Sequence, residues 1–168
     1  MNRSSNETAW LEEIRQLLDR LQASYSLIEH QTTIRTAEEG VQQGVGSLSS
    51  MTPTLILKTE KGYLAAVLPG DRRLSYKKIK KQLGLKNISL AEPATVKQLT
   101  GAEVGTVSLI NPGIETIIDA SVVEKEMIFG GCGMPGLTLK IRAADLIRAT
   151  NAVVFDFTES KDVARGAA

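Results

Sequence analysis

The apolar residues of this chain fall into short runs separated by turn signals. The runs are strand-length, and most of the connections between them are as short as hairpin loops. This spacing predicts a mixed, largely antiparallel sheet with helices packed around it, an α/β fold of the α+β type. Because the chain has 168 residues, one domain is expected. Strands are predicted at 24–30, 54–58, 62–68, 87–90, 106–110, 115–119, 126–129, 137–141 and 153–157.

Five helices are expected between these strands. Apolar residues recur at helical spacing from Trp10 to Leu21. The run TAEE at 36–39 is a capping box: Thr36 accepts from the Glu39 amide, and the Glu39 side chain returns to the Thr36 amide. Further helices are predicted at 76–83, 93–100 and 143–150. The expected organisation is a flexible tail at 1–8, a domain at 9–158 and a second flexible tail at 159–168.

The composition indicates in which cellular compartment the protein is expected. Cys132 is the only cysteine, so an internal disulfide is excluded and a reducing environment is favoured. No apolar run approaches the roughly 20 residues that span a bilayer. The first 30 residues also lack the apolar centre of a signal peptide. We therefore expect a cytoplasmic protein without a membrane partner.

One segment is strongly basic although the net charge is only +1. The run RRLSYKKIKK at 72–81 carries six cations in ten residues. It is either a solvated helix face or a surface that attracts phosphate groups.

Two glycine-bearing segments are the other unusual features. The run GGCGMPG at 130–136 has four glycines, which indicate unusual backbone angles or a close approach by another group. It is either a wide hairpin turn or a loop that offers backbone amides to an anion or a carbonyl oxygen. The segment GTVSLINPG at 105–113 is similar and adds the hydroxyl of Ser108.

Familiar catalytic motifs are absent from the sequence. One His and one Cys cannot form the usual zinc site, and there is no phosphate-binding loop, so no cofactor or metal is expected. A nucleophilic pair of Cys132 and His30 is conceivable, but a buried inert cysteine is the simpler interpretation.

Several segments, in order, resemble the YbaK/ProX family of aminoacyl-tRNA deacylases, which includes the editing domain of bacterial prolyl-tRNA synthetases. The resemblance covers roughly residues 10–157. It begins at His30 and the TAEE run, and continues through VLPGDRRLSYKKIKKQLG at 67–84 and LTGAEVGTVSLINPG at 99–113. It ends with IIDASV at 117–122 and FGGCGMPGLTLKIRAADL at 129–146.

The resemblance implies a shallow pocket for the aminoacyl-adenosine end of tRNA, without a covalent protein nucleophile. Hydrolysis of the ester of a mischarged tRNA, carrying a small amino acid such as Ala, Cys or Ser, is then the expected activity. The expected partners are the tRNA acceptor end and an aminoacyl-tRNA synthetase. The predicted catalytic residues are Gly105 and Ser108. Substrate binding is predicted for His30, Thr36, Pro53, Thr54, Asn111, Gly130, Gly131 and Cys132, and tRNA binding for Arg72, Arg73, Lys77, Lys78 and Lys81.

One position departs from the family pattern. Where the family has lysine in K-T-L or K-N-L, this chain has Pro53 before Thr54 and Leu55. Proline supplies neither a charge nor an amide proton. Lys58 is five residues away, and odd spacing along a strand predicts that it faces the opposite side. Two functions therefore remain open: an active deacylase with an altered pocket, or a binding module that has lost catalysis.

Overall fold

The computed structural model describes residues 5–161. These residues form ten strands, five α-helices and one 3-10 helix that follows β6. The strands are β1 (Tyr25–Glu29), β2 (Thr54–Thr59), β3 (Gly62–Val67), β4 (Arg72–Leu74), β5 (Ile88–Leu90), β6 (Glu115–Asp119), β7 (Met127–Gly131), β8 (Leu137–Arg142), β9 (Val153–Phe155) and β10 (Thr158–Ser160). The helices are α1 (Ser5–Arg20), α2 (Ala37–Gln42), α3 (Tyr76–Leu83), α4 (Pro93–Thr100), α5 (Ala143–Thr150) and the 3-10 helix Ala120–Glu124.

The larger sheet has five strands in the order β5-β2-β3-β6-β9. A tight turn at Glu60 and Lys61 joins β2 to β3, which pair antiparallel. By contrast, β6 lies parallel to β3, because α3, β5 and α4 carry the chain across before β6 begins. Strand β9 pairs parallel with β6 on its other side. Residues 64–67 of β3 are buried, since the sheet is covered on both faces.

A second sheet has the antiparallel order β1-β8-β7. The amphipathic face of α1 packs on it through Leu11, Ile14 and Leu18, and α5 adds Leu146. This cluster holds the main apolar core. A small third sheet pairs β4 with β10. None of the helices within residues 5–161 combines the length and apolar character needed to cross a bilayer.

The predicted α+β class is confirmed, and most predicted elements are found within one or two residues. The strand predicted at 106–110 is wrong, because this segment makes only one isolated bridge, from Ser108 to Gly131. Local bonds explain the difference. The Ile110 amide donates to Ser108 Oγ, and Asn111 Nδ2 donates to the Ser108 carbonyl. These bonds occupy backbone groups that a ladder would need.

The predicted chain ends also differ from the structure. Helix α1 begins at Ser5, so residues 5–8 of the predicted N-terminal tail are helical. Residues 159 and 160 of the predicted C-terminal tail belong to β10. Lys161 forms a turn after β10, and the rest of both predicted tails, 1–4 and 162–168, lies outside the described residues. Neither β4 nor β10 was predicted, because strands of three residues carry little periodic signal.

Candidate active site

Four segments that are distant in sequence line one cleft of about 180 Å³. Two come from the sheets, at 51–55 leading into β2 and at 129–138 spanning the β7–β8 turn. The other two are connecting segments, at 30–37 before α2 and at 104–107 after α4. These are the segments in which the sequence analysis placed the substrate-binding and oxyanion-stabilising groups. Of the predicted residues, the cleft is lined by His30, Thr36, Pro53, Thr54, Gly105, Gly130 and Gly131.

The first glycines of the 130–136 loop allow close packing. A Cβ on Gly131 would lie 2.3 Å from the Val107 carbonyl oxygen, and one on Gly130 would lie 2.5 Å from the Leu109 side chain. The Leu109 amide donates to the Gly131 carbonyl at 2.9 Å. Residues 107–109 therefore lie directly against β7, which brings the 104–107 segment to the cleft.

Gly105 occupies a position that suits only glycine. Its φ of +91° is in the left-handed region, and an added Cβ would lie 2.8 Å from the Arg35 carbonyl oxygen. The close contact with Arg35 joins the 104–107 segment of the cleft to the 30–37 segment. Among the described residues, no hydrogen-bond partner is found for the Gly105 amide. Gly105 is exposed, so its amide is open to solvent and to a ligand in the cleft.

Thr54 carries the second unpaired polar group of the cleft. The residue is only 6% exposed, and its Oγ1 has no hydrogen-bond partner among residues 5–161. Two other threonines of the cleft are satisfied: Thr52 Oγ1 donates to the Phe129 carbonyl, and Thr106 Oγ1 donates to the Glu103 carbonyl. Because a buried hydroxyl without a partner is costly, Thr54 Oγ1 is the group of this cleft most in need of a ligand partner.

His30 is held in a defined tautomer. Its Nδ1 lies 2.5 Å from the Thr32 carbonyl oxygen, which can only accept, so Nδ1 carries a proton. In the neutral imidazole, Nε2 then accepts from Thr138 Oγ1 at 3.1 Å. Thr138 also lines the cleft, and its hydroxyl still has lone pairs that can accept from a ligand. The sequence analysis did not identify Thr138, which lacks a motif of its own.

Thr36 and Glu39 form the predicted cap with one change. The Glu39 amide donates to Thr36 Oγ1 at 3.1 Å, as expected. The Glu39 carboxylate, however, accepts from the Arg35 amide and not from that of Thr36. The cap fixes the start of α2 and keeps residues 35–37 at the rim of the cleft.

Pro53 lies at the wall of the cleft, half-buried, immediately before β2. Its carbonyl accepts from the Leu68 amide at 3.3 Å, which continues the β2–β3 pairing. Lys58 is exposed, pairs in register with Tyr63 and Ser89, and does not line the cleft. No lysine therefore lies where the family pattern has one.

Three predicted site residues lie elsewhere. Ser108 is 2% exposed, and its Oγ accepts from the Ile110 amide. Asn111 is buried beside it and lines a different cavity, near α1. Cys132 has no exposed surface and packs in the core cluster under α1. Because each side chain turns inward, the prediction that these three residues line the cleft is wrong.

The basic segment has internal partners for several of its cations. Arg73 forms a salt bridge with Glu159 at 3.0 Å, and Lys78 forms one with Asp156 at 3.0 Å. The hydrogen bond from Lys78 lowers the pKa of Asp156 below its ordinary value. Arg72 donates to the hydroxyl of Thr158 at 2.6 Å. Lys77 and Lys81 are exposed.

The described residues offer no obvious metal site. Within 5–161, no group of three His, Cys, Asp or Glu side chains is arranged to hold an ion. The unpaired amide and hydroxyl of the cleft lie among apolar walls formed by residues such as Met51, Phe129 and Met134.

A family model of the aminoacyl-tRNA editing domain matches residues 31–149. The chain therefore belongs to the aminoacyl-tRNA editing domain family, and the resemblance found in the sequence is confirmed. Among the curated relatives, the proline--tRNA ligase of Thermosipho melanesiensis is 26% identical over 104 residues, which are 61% of this chain and 18% of the ligase. That of Desulforamulus reducens is 39% identical over 64 residues, 38% of this chain and 11% of the ligase. The chain thus spans less than a fifth of these ligases.

Solved structures show the same fold. The hypothetical protein APE2540 has 31% identity and a TM-score of 0.79, over 88% of this chain and 99% of that one. A proposed trans-editing enzyme for prolyl tRNA synthetase has 21% identity and a TM-score of 0.79, over 95% of this chain and 100% of that one.

Proposed function

We propose that this protein is an aminoacyl-tRNA deacylase, which hydrolyses the ester of a tRNA mischarged with a small amino acid. The observation that carries the proposal is the cleft in which Gly105 offers an unpaired amide and Thr54 an unpaired buried hydroxyl. The cleft lies almost wholly within the residues that match the editing-domain model. The similarity to prolyl-tRNA ligases favours tRNA for proline as the carrier.

In the proposed reaction, water attacks the ester carbonyl carbon and gives up a proton to the solvent, and the carbonyl oxygen becomes an oxyanion. The Gly105 amide donates to this oxygen, and a preorganised donor of this kind contributes about 3–4 kcal/mol to lowering such a barrier. Collapse of the intermediate breaks the bond to the ribose oxygen, which takes a proton from the solvent. The products are a free amino acid and an uncharged tRNA end, and no covalent protein intermediate forms.

The polar side chains of the cleft position the substrate. Thr54 Oγ1 donates to or accepts from the bound aminoacyl group, which satisfies the hydroxyl when substrate is present. Thr138 accepts from the amino acid's ammonium group while its own proton stays with His30. The apolar walls favour a small, uncharged side chain, although a pocket discriminates one methylene by only about 1–3 kcal/mol.

The tRNA body would be held by cations outside the cleft. Lys77 and Lys81, on the exposed face of α3, are suited to contact phosphates. Arg73 and Lys78 contribute less, because each already forms a salt bridge with a carboxylate, Glu159 and Asp156 respectively.

A second candidate is a binding module that holds the tRNA end without hydrolysing it. Pro53 favours this alternative, because it removes the family lysine from the wall of the cleft.

A deacylation assay separates the two candidates. The purified chain is incubated with proline tRNA charged with Ala, Cys, Ser or Pro, and loss of the ester is measured. Faster loss from one of the first three than from prolyl-tRNA supports the deacylase. Binding of the charged tRNA without any acceleration supports the module.

A further inference from the structure

A second cavity of about 450 Å³ borders the cleft. Thr36, Ala37, Pro53 and Leu55 line both cavities, so the two share a wall. Thr36 is exposed, which places part of this wall at the surface. We call the second cavity the basic groove. It is also lined by Leu68, Arg72, Arg73, Leu74, Tyr76, Leu90 and Lys161.

The apolar part of the groove combines the start of α3 with residues of the larger sheet. Tyr76, the first residue of α3, is half-buried and lines the groove. Leu90, at the end of edge strand β5, is 55% exposed. An aromatic ring beside exposed aliphatic surface is the kind of platform on which a nucleobase stacks.

The rim of the groove is cationic. Arg72, Arg73 and Lys161 line it together with one acidic residue, Glu38, and Arg73 is already paired with Glu159. Arg72 donates to the hydroxyl and carbonyl oxygens of Thr158, which are neutral, so its charge is not cancelled by these partners. Lys161 Nζ donates to the Gly70 carbonyl at 2.8 Å and lies 3.9 Å from Glu38. Cations around an apolar floor match a ligand with flat bases and a phosphate backbone.

We propose that the basic groove binds the unpaired nucleotide that precedes the terminal adenosine of tRNA. This inference rests on the proposed function, which places the aminoacyl-adenosine in the cleft. The single-stranded CCA end would then cross the shared wall at Thr36 and Pro53. Its penultimate base would stack on Tyr76, and the linking phosphates would lie near Arg72 and Lys161.

The test compares a probe that can occupy only the cleft with one that can also reach the groove. The full chain is titrated with adenosine and with the trinucleotide CCA, and binding is followed by nuclear magnetic resonance. We expect CCA to bind at least about tenfold more tightly. We also expect chemical shift changes at Gly105 with both probes, and at Tyr76 and Leu90 with CCA alone. Equal affinities, or no shift changes in the groove, would overturn the proposal and leave the groove to a protein partner.

Matched variants identify the interaction. Tyr76→Leu keeps apolar volume but removes the ring, so the affinity for CCA relative to adenosine should fall about fivefold, whereas Tyr76→Phe should retain it. Lys161→Gln should lower the salt dependence of CCA binding by about 0.7 in log–log slope. Lys61→Gln makes the same charge change at the far end of β2 and serves as the control. If Tyr76→Leu does not fold, Lys161→Gln at an exposed position still tests the proposal. An unchanged salt dependence of CCA binding in that variant would contradict binding in the groove.

This test is independent of hydrolysis. Groove binding without any deacylation would retain the groove and reject the proposed enzyme. Deacylation of both aminoacyl-adenosine and aminoacyl-tRNA, together with no preference for CCA, would retain the enzyme and reject the groove.

Discussion

The polar groups of the cleft and those of the basic segment at 72–81 differ in whether they have partners within the protein. In the cleft, the Gly105 amide and Thr54 Oγ1 have no partner among the described residues. In the basic segment, Arg73 and Lys78 are paired with carboxylates near the end of the described chain. Groups that the fold leaves unpaired are those that a ligand can satisfy. Judged by its charge density alone, the basic segment would therefore be taken for a better binding surface than its paired cations allow. The glycine content of the cleft does not reveal the unpaired groups that a ligand can bind.

The largest expected effect tests the cleft at its most constrained residue. Gly105→Ala introduces a Cβ that would lie 2.8 Å from the Arg35 carbonyl, so the 104–107 segment must move and the amide moves with it. Loss of one oxyanion donor typically lowers kcat about 100- to 1,000-fold. Deacylation measured under single-turnover conditions checks this.

Gly113→Ala provides the control for Gly105→Ala. Gly113 has a similar φ of +86°, but an added Cβ there meets no atom within 4 Å. Both variants carry the strain of a left-handed alanine, about 1 kcal/mol. Equal loss of activity in the two variants would show that backbone strain, and not the oxyanion position, sets the rate.

The next effect concerns the wall that lacks the family lysine. Pro53→Lys should raise the rate of deacylation at least about tenfold, because an ammonium beside the carbonyl stabilises negative charge that develops there. Pro53→Ala controls for the loss of the proline ring. If lysine gives no more activity than alanine in folded variants, the missing charge is not what distinguishes this cleft.

Periodicity and turn signals were sufficient to predict most elements of the fold. The helix over 76–83 follows from the Ser75 cap and from Gly84, which takes up the left-handed conformation that ends it. The strand at 106–110 failed because its apolar alternation resembles β-structure, while Ser108 and Asn111 bind neighbouring backbone groups. Side-chain competition of this kind depends on geometry that a residue pattern does not carry.

The candidate site was predictable as a set of segments but not as a set of side chains. The resemblance placed 30–39, 53–58, 105–113 and 130–136 together, and these segments supply most of the cleft. Which residue of each segment faces inward depends on tertiary packing. Cys132 turns into the core beneath Trp10, whose Nε1 donates to the Cys132 carbonyl. The groups that remained unpaired, such as Thr54 Oγ1, could be recognised only from the structure.

A moderate effect is expected when the unpaired hydroxyl of Thr54 is compared with the paired hydroxyl of Thr52. Thr54→Val removes a hydroxyl without an internal partner, so the free energy of unfolding should rise by about 1 kcal/mol while deacylation falls about three- to tenfold. Thr52→Val removes a hydroxyl that bonds the Phe129 carbonyl, and it should lower the free energy of unfolding by about 1 kcal/mol. Urea unfolding together with the deacylation assay measures both. A loss of stability in Thr54→Val would mean that this hydroxyl has a structural role.

A smaller effect separates exposed from paired cations in the basic segment. Lys77→Gln with Lys81→Gln should weaken tRNA binding a few-fold and reduce the salt slope by about 1 for each lost phosphate contact. Lys78→Gln should change the slope less, because Asp156 and the Thr158 carbonyl already hold its ammonium. Anisotropy measured across a salt series makes the comparison. Equal slopes for all variants and the parent would leave the whole segment as a solvated face.

The smallest effect tests whether the paired cations do stabilise the fold. The hydrogen bond from Lys78 lowers the pKa of Asp156, so the native state favours the carboxylate more than the unfolded chain does. The stabilising contribution of ionised Asp156 to the free energy of unfolding is therefore present above the ordinary aspartate pKa. It is lost as the pH falls through the lowered pKa of the native state. Because the pair is largely exposed, Asp156→Asn should cost only about 0.5 kcal/mol at pH 7. Urea unfolding at pH 7 and pH 3 checks this: the difference from the parent should shrink at the lower pH. A difference that persists undiminished at pH 3 would show that the carboxylate's charge is not responsible.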